Sequence, residues 1–66
     1  MADKPSEDPG NARKQAFIEA VVRTYNVSRT QVEAYMLRRG MQGYNWAAYT
    51  DPCIAQLVET AAEVFG

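Results

Sequence analysis

The sequence predicts an all-α fold, a small three-helix bundle, on three observations. Apolar residues recur at helical spacing over residues 17–25 and again over 54–65. Between them, Ser28 opens a segment that carries the start signals of a helix. No run alternates apolar and polar residues with the period of a strand, and no segment repeats another. At 66 residues the chain makes one domain. A domain of this size buries only about 60% of its unfolded surface, so its stability is marginal.

Residues 1–10 contain two prolines, one glycine and four charges, with no apolar period. They are expected to form a disordered acidic tail ahead of a single helical domain over 11–66. Asn11 is placed to cap a first helix over about 12–25. Phe17, Ala20, Val21 and Thr24 line its core face, widened by Ile18 and Tyr25. Gln15, Glu19 and Arg23 fall on the opposite face. Asn26 tolerates the left-handed backbone that ends a helix.

The second helix is expected over about 29–39. Ser28 and Gln31 form a capping box, and Val27 with Val32 forms a hydrophobic staple across it. Val32, Tyr35 and Met36 make the core face, while Leu37 points outward near Thr30 and Glu33. Gly40 is the stop, after two arginines that complement the helix dipole. Gly43, Asn45 and Thr50 favour turns, so residues 41–50 read as a loop. A short helix around 44–49 folds its aromatics over the core. Trp46 alone can bury on the order of 200 Å². Asp51 then caps a third helix over about 52–65, with Pro52 at its first position. Ile54, Leu57, Val58, Ala61, Val64 and Phe65 form its apolar stripe. The short link at 25–27 suits two helices crossing steeply.

The residue inventory argues against an enzyme. There is no histidine, so the commonest general base and metal ligand is missing. No carboxylates pair near a nucleophile, and no glycine-rich phosphate loop exists. No cofactor is implied. A metal would find only oxygen ligands, without the spacing of a calcium loop. Cys53 is the single cysteine, which excludes an internal disulfide. It falls in the first turn of the third helix, where a thiol's pKa tends to fall, and is read as an inert thiol. No stretch approaches the roughly 18 apolar residues of a membrane span. The acidic, polar start lacks the features of a signal peptide. A soluble, cytoplasmic protein without a membrane partner is therefore expected.

The net charge of −1 hides an uneven distribution. Residues 12–40 hold six basic residues against Glu19 and Glu33, a local +4, whereas 1–11 carry −2 and 41–66 carry −3. Over about residues 20–39, centred on Asn26, Val27, Ser28 and Val32, the chain resembles the helix-turn-helix of small bacterial and phage regulators. In that family a turn residue precedes a buried aliphatic, a capping hydroxyl follows, and a buried Val or Ile comes four residues after the cap. The chain departs from the pattern at Val22, where the family commonly has alanine, and at Asn26, where it often has glycine.

The resemblance implies a three-helix bundle with a helix-turn-helix core, and a small regulator that reads duplex DNA through its second helix. Arg29, Thr30, Gln31, Ala34 and Arg38 would then face the major groove. Arg13, Lys14 and Arg23 would meet phosphates, with Arg39 adding to the same basic segment. The acidic remainder would face away, and a useful site would need a homodimer. The other reading is a small helical adaptor or modulator that binds a protein partner and no DNA. Its surface would be Leu37, Met41 and the outer face of helix three.

Overall fold

The computed structural model describes residues 9–66, with the Pro9 side chain left aside. The chain is all-α. Helix α1 spans Pro9–Tyr25 and α2 spans Arg29–Arg38. Two 3₁₀ turns follow, Met41–Gly43 and Trp46–Ala48, and the chain ends with α3, Asp51–Thr60, and a short α4, Ala62–Phe65. Helix α1 is the hub, packing against α2, α3 and the second 3₁₀ turn.

The disordered tail expected at 1–10 lies mostly outside the described residues, but its end does not. Pro9 and Gly10 already belong to α1, because proline's fixed φ suits the first helical position. Asn11 is thus a first-turn residue and not the cap. Its Oδ1 accepts a hydrogen bond from Gln15 Nε2 at 3.4 Å.

The turn after α1 follows the expected chemistry. Asn26 adopts a left-handed backbone with φ 57°, a conformation that asparagine tolerates better than most residues. Ser28 then closes the reciprocal cap. Gln31 N donates to Ser28 Oγ at 3.1 Å, and Ser28 N donates to Gln31 Oε1 at 3.0 Å. Helix α2 ends one residue earlier than expected, with Arg39 as its C-cap and Gly40 in the left-handed region at φ 71°.

The core is one cluster. Phe17, Ile18 and Val21 come from α1, and Val32, Tyr35 and Met36 from α2. Ile54, Val58 and Ala61 close it from the C-terminal side, and Met41 and Trp46 from the loop. Thr24, placed on the core face by periodicity, is exposed. The short helix expected around 44–49 is a 3₁₀ turn of three residues, preceded by a second such turn at Met41. It carries Trp46 inward, where the indole N–H donates to the Met41 carbonyl at 3.0 Å.

The third helix differs most from expectation. Thr50, not Asp51, is the N-cap, with Asp51 and Pro52 both inside the first turn. The helix also does not run to 65. At Ala61 the backbone N–H is shared between the Leu57 and Val58 carbonyls, at 3.1 and 3.2 Å. The Tyr25 hydroxyl donates to that same Val58 carbonyl at 2.7 Å. A side-chain donor inserted into the helix ladder is a known cause of a break. The register shifts past the break, and Val64 is 56% exposed instead of continuing the buried stripe.

The Tyr25 hydrogen bond is half-buried and spans 33 positions of sequence. Its removal in Tyr25→Phe is expected to cost about 1 kcal/mol. For a domain of this size that lowers the melting temperature by roughly 4–8 °C. A thermal melt followed by circular dichroism measures it. An unchanged melting temperature would show that the bond contributes nothing.

Candidate functional site

Helix α2 holds its core face with Val32, Tyr35 and Met36. The other side therefore faces water, and Arg29, Thr30, Gln31, Ala34 and Arg38 are all exposed. These are the five residues that the sequence assigns to the groove-facing surface. They are not equally available. The Gln31 carbonyl oxygen is engaged by the helix cap. Arg29 sits 3.3 Å from Glu33 one turn along, and it also donates to Gln15 Oε1 on α1. That second bond ties α2 to α1 across the turn.

The basic residues around them divide into two groups. Arg13 is ion-paired with Asp51 at the start of α3, and Arg39 with Glu63 on α4 at 3.0 Å. The Arg39 guanidinium also lies 5.7 Å from the Tyr35 ring centroid, within range of a cation–π contact. Lys14 keeps its charge but donates to Gln42 Oε1 at 2.7 Å. Arg23 and Arg38 are exposed and have no ion-pair or hydrogen-bond partner among the described residues. The expectation that the acidic remainder faces away is therefore corrected. Two of the three carboxylates of residues 41–66, Asp51 and Glu63, fold back onto the basic segment. Exposed pairs of this kind contribute little stability, but they neutralise part of the charge of the basic segment.

A second correction concerns Met41, which was assigned to a partner surface. It is 2% exposed, its side chain buried in the core and its carbonyl holding the Trp46 indole. Leu37 does face solvent, at 71% exposure. Periodicity placed it there, because its neighbours in the wheel, Thr30 and Glu33, are polar.

Beside Arg38 the structure shows a cleft of about 450 Å³ that the sequence did not announce. One wall is α2 with its C-cap, from Gln31 to Arg39, and the other is Val64 and Phe65 of α4. The Tyr35 and Phe65 rings meet there at 5.3 Å between centroids. Burial pushes the Tyr35 phenol above its ordinary pKa, with Arg39 opposing the shift. The cleft owes its second wall to the break at Ala61, which no spacing in the sequence reveals.

Cys53 is exposed in the first turn of α3, and the Thr50 hydroxyl donates to its Sγ at 3.4 Å. That bond stabilises the thiolate and holds the thiol below its ordinary pKa. Alkylation by iodoacetamide is expected to reach half-rate at a lower pH than for a free cysteine. Thr50→Val should move that midpoint upward, and an unmoved midpoint would rule out the hydroxyl as the cause.

No group of three or more potential metal ligands occurs among the described residues, and no helix among them is long and apolar enough to cross a membrane. The chain matches no protein-family model, and no curated protein or solved structure is significantly similar to it.

Proposed function

We propose that the protein is a small regulator that binds duplex DNA through α2 in the manner of a helix-turn-helix. The observation that carries this reading is the setting of α2. A left-handed Asn26 and a closed Ser28–Gln31 cap fix the helix start. Val32, Tyr35 and Met36 hold it on the core, and Arg29, Thr30, Ala34 and Arg38 stand outward together. A short rigid helix with its first turns exposed is what major-groove reading requires.

The ion pairs reduce the electrostatic part of binding. With Arg13, Arg29 and Arg39 neutralised locally, Lys14, Arg23 and Arg38 remain to displace counterions. Three phosphate contacts give a slope of log affinity on log salt of about −2.7. Raising salt from about 50 to 200 mM should then weaken binding to a labelled random duplex about 40-fold, read by fluorescence anisotropy. A loss nearer a thousandfold would mean that the ion pairs open and hand their arginines to the DNA. No binding at 50 mM by protein shown to be folded would overturn the proposal.

A further inference from the structure

The cleft between α2 and α4 combines an apolar floor with a positive edge. Ala34, Tyr35, Val64 and Phe65 supply apolar and aromatic surface. Arg38 supplies a cation at the edge, Arg39 beside it is already paired with Glu63, and no carboxylate is among the residues that line the cleft. Glu63, next in sequence to the α4 wall, is held by Arg39. Arg38 has no such partner among the described residues. Its volume of about 450 Å³ falls in the usual range of ligand clefts. An occupant that complements this lining must bring apolar side chains to the floor and negative charge to the edge.

We infer that the α2–α4 cleft docks an acidic amphipathic segment of a partner protein, apolar side chains over Tyr35 and Phe65 and a carboxylate on Arg38. This is the helix-in-groove mode of recognition, with apolar anchors one turn apart. It stands independently of DNA binding, but the two are coupled in space. Gln31, Ala34 and Arg38 belong both to the cleft and to the face proposed to meet DNA, so the partner segment and the duplex exclude each other. A protein that presents such a segment would release the regulator from its site.

The probe is a synthetic twelve-residue helical peptide with two leucines one turn apart and glutamates flanking them, and a counterpart with lysine in place of every glutamate. Each is titrated into isotope-labelled protein and followed by amide chemical shifts. The acidic peptide is expected to shift the amides of Ala34, Tyr35, Arg38, Val64 and Phe65, and the lysine peptide is not. Arg38→Gln should weaken the acidic peptide about tenfold, the worth of one charge-assisted contact. Val64→Glu puts a carboxylate in the cleft at an exposed position, so it should block docking while the protein stays folded. Three outcomes would overturn the inference: no shifts at millimolar peptide, shifts away from the cleft, or equal binding of the lysine peptide. Shifts of the same amides on concentrating the protein alone would assign the cleft to a second copy. The same shifts with duplex DNA but not with peptide would assign it to nucleic acid. Peptide binding in a protein that ignores duplex DNA would leave this inference standing and the DNA reading fallen.

Discussion

Trp46→Ala is expected to abolish cooperative folding. The Trp46 ring is 4% exposed and packs on Phe17 at 5.5 Å and on Tyr49 at 5.4 Å between centroids. Its N–H holds the Met41 carbonyl, which fixes the path of the loop between α2 and α3. Cutting a buried tryptophan to alanine costs about 3–5 kcal/mol. At about 0.05–0.15 kcal/mol per residue, a domain of this length has about 3–10 kcal/mol in all, so a loss of that size takes much of it. The far-UV helical signal should fall at 25 °C, and the thermal transition should broaden or vanish. Trp46→Phe keeps an aromatic ring in place but removes one of the two donors to the Met41 carbonyl, leaving only the Tyr44 N–H, and it should melt early while remaining folded at 25 °C. A cooperative transition within a few degrees of the parent in Trp46→Ala would show that the loop does not help to hold the bundle together.

On the proposed DNA-binding function, the largest expected effect on binding comes from Arg23→Gln/Arg38→Gln. Each phosphate contact at about 50 mM salt contributes on the order of 15-fold in affinity, taking 1 M salt as the contact-free reference. Losing two should weaken duplex binding roughly 200-fold and reduce the salt slope to about −0.9. Both residues are exposed and make no ion pair among the described residues, so the melting temperature should not move. Arg13→Gln provides the contrast, because that arginine is already neutralised by Asp51. Its effect on affinity should be several-fold smaller than the roughly 15-fold loss expected of Arg23→Gln alone. Equal losses in these two single variants would show that the ion pairs do not govern which cations meet the DNA.

The parts of this fold legible in the sequence are those decided by neighbours in the chain. The Ser28–Gln31 cap, the turn at Asn26, the stop at Gly40 and the Val32–Tyr35–Met36 face rest on contacts within four residues or on single-residue backbone preferences. All four appear in the structure where the sequence puts them. Long-range contacts overrode the local pattern elsewhere. The stripe from Ile54 to Phe65 predicts one helix, but a hydroxyl from Tyr25 takes part of the ladder at Val58. The site followed the same division. Exposure of Arg29, Thr30, Gln31, Ala34 and Arg38 came from helical periodicity alone. Which arginines are free depended on Asp51 and Glu63, 38 and 24 positions from the arginines they meet. Charge counted along a segment cannot show that acids from another segment fold onto it.

The short α4 has a consequence for how the C-terminal wall behaves. Four residues make one helical turn, too short to be stable by itself. Phe65 anchors it through ring contacts to Tyr25 and Tyr35, and Glu63 through Arg39. Elements with so few anchors open at a free energy below that of the whole domain. The turn is held to the rest of the bundle by one aromatic ring and one ion pair. A segment settling against Tyr35 and Phe65, as inferred above, would add contacts to this turn, so ordering of α4 and occupation of the cleft would be linked.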